Sequence, residues 1–395
     1  MSVAHNLHSH SPSVAGWRGG VASRVSEALD KGMSEGSITG GVVLAAQYGR
    51  FVVQACKGVK VSDPVGAAPR PLEFSTVFDL GSLTEAVCTA TLMMRLVTAE
   101  KVGLLARASR FVSALAVGSR SQLTLAHLLS HAAGYGATIT VADEIVRANA
   151  GSRPGLLASG GARQFAYKSV HKLAPRYEPG ARQLRSDASF MLLGEICEAI
   201  TGMPLEKAFL RFVVAPLKLR SLNFIDLSTA RGKNLSPVTE VFAPTAVCPR
   251  RGRLMCGEVW DEHTWAMGGI SGHNGLFGSA DDLLVWAAEI LAALKGRSDI
   301  ISQKAAREFL APQLPGFNAD WRMGFEGVSS SERTSQLNVA PEAVTISSGT
   351  GCSILIEPKR DLIAVILTSG GVANGAMKKV ATLRSEIHAS LLETE

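Results

Sequence analysis

Ser82 is the residue of this sequence best placed to act as a nucleophile. It lies in Phe78-Asp79-Leu80-Gly81-Ser82-Leu83-Thr84-Glu85, and an almost uninterrupted apolar run follows as far as Leu96. Such a run predicts a buried central helix. The first turn of a helix leaves four backbone N–H groups without partners, which favours a developing negative charge beside Ser82. A serine hydroxyl attacks only when a base of matched pKa takes its proton. The nearest candidate is Glu85, and Ser-x-x-Glu ahead of an apolar run is also a helix capping box, in which the two residues satisfy each other's backbone N–H groups. A second polar cluster, Arg185-Ser186-Asp187, opens the apolar stretch Phe190 to Ile200. His127 and His131, four apart, can present two metal ligands on one helix face, with no third ligand close by in sequence.

The elements that must hold these residues follow from periodicity and turn chemistry. Val21, Val25, Leu29 and Met33 recur every four positions and predict an amphipathic helix ending near Gly36. Val42 to Gln47, a Tyr48-Gly49-Arg50 turn and Phe51 to Ala55 read as a β-hairpin, with a proline-bearing loop over 57–73. Beyond the Ser82 helix come a short helix from Leu125 closed by Gly134, an irregular glycine-rich surface excursion over 136–176 with a short helix in it, and the Glu178-Pro179-Gly180 turn. A further helix over Leu205 to Val214 is expected to stop at Pro216, and 219–262 reads as a long connection. Ser279 starts a helix over Leu283 to Leu294. A second hairpin joins Cys352–Glu357 to Leu362–Thr368, and Val380, Leu383, Ile387 and Leu391 mark a last helix. Strands near both ends with helices between predict an α+β chain. Residues 17–80 and 265–395 would form an antiparallel sheet with flanking helices, and 81–264 a mainly helical lobe. A small molecule or protein partner would lie in the groove between the two.

Composition narrows the function. Hydrophobic residues make up 46% and mean hydropathy is +0.18, so a sizeable core is available. Lys+Arg 40 against Asp+Glu 34 gives +6, too small an excess to call for a nucleic acid, and the basic residues read as ordinary surface. No run is long and apolar enough to span a membrane, so no membrane partner is expected. Residues 1–16 read as a disordered lead-in without the charged start and apolar block of a secretory signal, and His5, His8 and His10 as part of a solvated tail. Together with six scattered cysteines lacking any CxxC pair, this points to a cytoplasmic chain with reduced thiols. No cofactor and no metal are expected.

Several stretches together carry a resemblance. They are Thr76 to Thr84, Leu123 to His131, Glu178-Pro179-Gly180, Leu192 to Glu195, Trp265 to His273, and Gly351 to Pro358. The chain resembles the serine β-lactamase-related family, which includes penicillin-binding proteins and class C β-lactamase-like serine hydrolases. The resemblance implies an α/β sandwich fold and three catalytic motifs, and this sequence departs from all three. Where the family has Ser-x-x-Lys, Ser82 is followed by Glu85. Where it has Tyr-x-Asn or Tyr-Ser-Asp, this chain has Arg185-Ser186-Asp187. Where it has Lys-Thr-Gly or His-Thr-Gly, the aligned residues are Ile346-Ser347-Ser348.

A carboxylate is a weaker base than a neutral lysine amine, and an arginine cannot accept a proton near neutral pH. The family's lysine and tyrosine lie side by side, so the resemblance implies a Glu85–Arg185 ion pair across the old active site, in competition with the capping box. The leading expectation is a pseudoenzyme that binds a ligand or protein partner, with Ser82 as a vestigial nucleophile and Ser347, Ser348 and Gly349 lining the strand edge. The alternative is an active esterase or amidase-like hydrolase in which Glu85 or Asp187 serves Ser82 as base, with an oxyanion hole from the N–H groups of Ser82 and Gly349. A third reading, a metal-dependent hydrolase using His127, His131, Asp261, Glu262, His263 or His273, lacks a recognisable ligand spacing.

Overall fold

The computed structural model describes residues 20–60, 69–137, 139–233, 239–311, 321–328, 339–370 and 376–393. The expected lead-in over 1–16 lies outside them. From the N-terminal part come β1 (Gly40–Gln47), β2 (Arg50–Lys60), β3 (Arg70–Pro71) and β4 (Phe78–Asp79). Short strands β5 (Asn223–Phe224), β6 (Val247–Cys248), β7 (Arg253–Leu254) and β8 (Leu276–Gly278) follow, then β9 (Glu326–Gly327), β10 (Val344–Ser347), β11 (Ser353–Glu357) and β12 (Leu362–Ser369). The main sheet is antiparallel, in the order β3-β2-β1-β12-β11-β10-β9, so both ends of the chain build it. The fold is α+β.

Alternation explains how the sheet is covered on both faces. Val42, Leu44, Ala46, Ile354, Ile356, Ile363, Val365 and Leu367 join one buried cluster, while Val43, Ala45, Leu355, Ala364 and Ile366 join another. Successive side chains of a strand point to opposite faces, so unbroken apolar runs are what a doubly covered sheet requires. Helices Val21–Ser34 and Met377–Leu392 close one face through Val25, Leu29, Val380, Leu383 and Ile387. Helix Ala280–Leu294 and the Ser82 helix lie in the cluster on the other face. Both hairpins form. The two-residue turn between β1 and β2 sets Tyr48 at φ 50 and Gly49 at φ 75, the left-handed pair that matches strand twist. The turn between β11 and β12 is held by the buried Glu357 carboxylate, which accepts from the N–H groups of Lys359 at 3.2 Å and Arg360 at 2.6 Å.

Four expectations change. The stretch 136–176 holds two helices, Val141–Ala150 and Ala162–Val170, rather than one short helix in an irregular excursion. β2 runs on to Lys60 rather than giving way to a loop at 57, because Lys57 and Gly58 still pair with Gly41 and Gly40, and Val59 with Pro71. The helix through Leu205 does not stop at Pro216. A π-helical turn over Leu210–Val214 leads into Ala215–Leu217, so the helix ends one residue past Pro216, with Lys218 left-handed at φ 56. The stretch 219–262 holds β5, a short helix Leu227–Gly232 and the β6–β7 hairpin. Among the described residues no single helix is long and apolar enough to cross a membrane.

The Ser82 helix is π-helical over Glu85–Ala90 and α-helical over Thr91–Thr98. Thr91 reaches back to the Ala86 carbonyl at 2.8 Å and itself accepts from the Trp286 indole N–H at 3.0 Å, which fixes the widened turn. Thr89 donates to the carbonyl of Gly272 at 2.6 Å. Gly272 is a close-approach glycine: a Cβ there would sit 2.2 Å from the Phe190 carbonyl oxygen and 3.0 Å from the Gly194 Cα.

Candidate active site

The entrance of the Ser82 helix is tied down by Asp79. One carboxylate oxygen accepts from the Gly81 N–H at 3.0 Å and the other from the Trp260 N–H at 2.7 Å, joining the helix mouth to the loop after β7. Gly81 sits at φ 54, and a Cβ on it would lie 2.2 Å from the Ser348 hydroxyl, so the mouth closes tightly on the turn after β10. Burial pushes the Asp79 carboxyl up to about 6, against the pull of its two backbone N–H donors. Thr84 donates to the Gly81 carbonyl at 2.6 Å and accepts from the Leu276 N–H at 3.1 Å.

Ser82 is 8% exposed, and its hydroxyl donates to the backbone carbonyl of Ser347 at 3.3 Å. The capping box does not form. No side chain caps this helix start, and the Glu85 N–H bonds to the Ser82 carbonyl rather than to its hydroxyl. The physical reason is the destination of the Glu85 carboxylate, which is 4% exposed. One of its oxygens accepts from the Arg185 guanidinium at 3.2 Å and the other lies 3.5 Å from His131 Nε2. A buried charge gains more from a guanidinium than from one neutral N–H.

His131 is aimed by the backbone. It takes φ 55, and its Nδ1 accepts the Ser186 N–H at 3.2 Å, which leaves the ring proton on Nε2, facing Glu85. Phe190 and Trp321 pack on the ring with centroids at 5.0 Å and 4.7 Å. Burial alone would raise the Glu85 carboxyl. Arg185 and then His131 outweigh it and hold the group below its usual range.

Further charged groups stand around this pair. Asp187 opens helix Asp187–Thr201, and burial raises its carboxyl despite the nearby His273 and Arg185. Glu326 on β9 accepts from the Ser347 hydroxyl at 3.2 Å and is raised by burial, with Arg185 and Arg384 pulling the other way. Arg384 of the last helix donates to the carbonyls of Ser348 at 2.5 Å and Cys352 at 3.2 Å, which pins the turn after β10. Buried His273 bonds the Ser271 hydroxyl at 2.8 Å and faces Asp261 at 3.4 Å. It is raised despite burial, through Asp261 and Asp187, while Asp261 is held well below its usual range.

The structure thus brings Ser82 to Ser347, joins Glu85 to Arg185, and sets Asp187 beside Arg185. Gly349 is exposed on the lip. Ser348 is not where a ligand contact was expected: it is 3% exposed, and its hydroxyl turns inward to Thr350 Oγ1 at 2.8 Å. The residues of the metal reading have other employment. His127 Nδ1 accepts the Thr124 N–H at 3.3 Å, His263 Nδ1 accepts the Ala142 N–H at 3.1 Å, and Glu262 pairs with Arg250 at 2.6 Å. Among the described residues no three His, Cys, Asp or Glu side chains are grouped to hold a metal ion. Sequence reasoning missed Glu326, Arg384, His131 as a partner of Glu85, and Asp79. Only Asp79, two residues before a glycine and three before Ser82, carried a local signal, that of an Asx turn.

Comparison with known proteins agrees with the architecture. The family model described as Beta-lactamase matches residues 25–389. A putative D-alanyl-D-alanine carboxypeptidase of Salmonella typhimurium is 26% identical over 308 residues, covering 74% of this chain and 69% of the relative. Among solved structures, EstCE1, a hydrolase with promiscuous acyltransferase activity, superposes with TM-score 0.69 at 20% identity, covering 94% of this chain and 98% of that one. The octameric penicillin-binding protein homologue from Pyrococcus abyssi gives 0.66 at 18%, covering 92% and 77%. A class C β-lactamase gives 0.69 at 15%, covering 94% and 98%.

Proposed function

The chain belongs to the Beta-lactamase family, and from that premise we propose that it is a pseudoenzyme: a serine-hydrolase scaffold that binds a ligand or protein partner in its groove without acyl transfer. One observation carries this reading. One oxygen of the carboxylate at the base position accepts from Arg185 at 3.2 Å, the other lies 3.5 Å from His131 Nε2, and the Ser82 proton points at a peptide carbonyl. A carboxylate held below its usual pKa is a poor acceptor for a serine proton, and a peptide carbonyl accepts a hydrogen bond without taking the proton. Arg185 stays charged. The scaffold therefore offers a nucleophile without a proton route.

The test is covalent labelling. The protein, Ser82→Ala, and the double variant Glu85→Lys with Arg185→Tyr are incubated with a fluorescent penicillin and a fluorophosphonate and weighed intact. The expected result is no serine-dependent adduct on the native chain and a partial adduct on the double variant. An adduct on the native chain that disappears in Ser82→Ala overturns the reading.

A second reading has its own observation. Neither the Ser82 N–H nor the Gly349 N–H donates a hydrogen bond among the described residues, so both are available to an oxyanion. The raised carboxyl of Asp187 is also a better base than Glu85. That reading makes the chain an ester or amide hydrolase working through Ser82 and Asp187. It requires labelling that survives Glu85→Gln and is lost in Asp187→Asn.

A further inference from the structure

Charge along this chain is not dispersed. Between Glu100 and Asp187 stand twelve Lys and Arg against three Asp and Glu, an excess of nine, larger than the +6 of the whole chain. Arg163 and Arg185 are paired with carboxylates. By contrast, Lys101, Arg107, Arg110, Lys172, Arg176 and Arg182 are all exposed and form no ion pair among the described residues.

The fold gathers these cations. The Arg120 guanidinium donates to the His171 carbonyl, bringing the 3₁₀ turn Gly118–Gln122 against the end of helix Ala162–Val170. Arg107 donates to the Gln122 carbonyl and lies close enough to His127 to help keep that imidazole's pKa low, after burial. A Cβ on Gly180 would be 3.3 Å from His127 Nε2, and the Arg176 N–H donates to the Gly134 carbonyl at 2.7 Å, so 176–182 folds back on the same region. In the same stretch, Leu105 is 82% exposed and Val117 62%, while no large aromatic is comparably exposed there.

We propose that this face docks on an anionic lipid surface, with Leu105 and Val117 entering the headgroup layer and the surrounding Lys and Arg meeting lipid phosphates and carboxylates. Cations without a carboxylate partner, in the same stretch as exposed aliphatic side chains, fit that partner, because each chemistry meets its complement at a bilayer surface. A single-stranded nucleic acid would call for exposed rings on which bases stack. The expectation of no membrane partner rested on hydropathy, which speaks to spanning a bilayer and not to lying on one. Arg182 is three residues from Arg185, so docking would also bring the mouth of the groove near the bilayer.

The test is co-sedimentation of the full chain with phosphatidylcholine vesicles, with and without about 30% phosphatidylserine. Binding is expected only with phosphatidylserine and falls as salt rises. Arg110→Gln, Lys172→Gln and Arg176→Gln together weaken it about a hundredfold, at roughly a factor of five per charge. Leu105→Ser with Val117→Ser weakens it about tenfold with the charges intact. An unchanged urea midpoint shows that the variants fold. Equal binding to both vesicles, no binding to either, indifference to the charge or serine substitutions, or tighter binding to duplex DNA or polyglutamate than to phosphatidylserine would each overturn the proposal.

Discussion

Arg185→Leu is expected to lower the free energy of unfolding by about 2 kcal/mol at pH 7, measured by urea denaturation. Breaking a buried ion pair by removing one partner costs about 3–5 kcal/mol, because the other charge stays behind unpaired. Here Glu85 is the buried partner, while the Arg185 side chain is 41% exposed, so water screens part of the attraction and the lower figure applies. Glu85→Gln removes the charge that needs compensation and leaves an arginine able to turn to water, Asp187 or Glu326, so about 1 kcal/mol is expected. In Arg185→Leu with Glu85→Gln the combined loss falls short of the sum of the two single losses by about 1–2 kcal/mol.

The sign of the pH dependence separates this account from simple loss of packing. In the native chain Glu85 has a lowered pKa, so its contribution is present above the ordinary value of 4.5 and is lost as pH falls through the depressed folded value. In Arg185→Leu burial dominates, the folded pKa rises, and stability is recovered as pH falls through it. A variant within about 0.5 kcal/mol of the native chain at every pH would show that the pair holds nothing together.

How much of this was legible in the sequence depends on whether the signal was local. The hairpins around Tyr48-Gly49 and Pro358–Asp361 were, because alternation and turn chemistry are written within a dozen residues. The Glu85–Arg185 contact was legible only through the resemblance, which supplied the spatial adjacency of positions far apart in the chain. Ser-x-x-Glu misled as a capping box because the local pattern carries no information about a guanidinium arriving from Arg185. Glu326 and Arg384 reach the site from β9 and the last helix, where each reads as an ordinary surface charge. The basic face hid in the opposite way. The whole-chain charge of +6 averages an excess of nine over one stretch against a deficit elsewhere.

Asp79 carries the second large effect. Its folded pKa is about 6 against an ordinary 3.8, so the group favours the folded state below 3.8 and loses that advantage as pH rises through 6. The difference amounts to about 3 kcal/mol across that window. Asp79→Asn removes the titration but keeps the shape. Its amide can accept from only one of Gly81 and Trp260, leaving the other N–H unsatisfied at a cost of about 1–3 kcal/mol. Between pH 4 and 7 the native chain should therefore lose about 2.4 kcal/mol more than Asp79→Asn does, in matched urea titrations. Parallel profiles would mean that Asp79 titrates as an ordinary carboxyl. The slope also bears on the groove: a carboxylate that is costly to keep ionised at neutral pH, yet holds the N–H groups of Gly81 and Trp260, serves the placement of the helix mouth and Ser82 more than the stability of the fold.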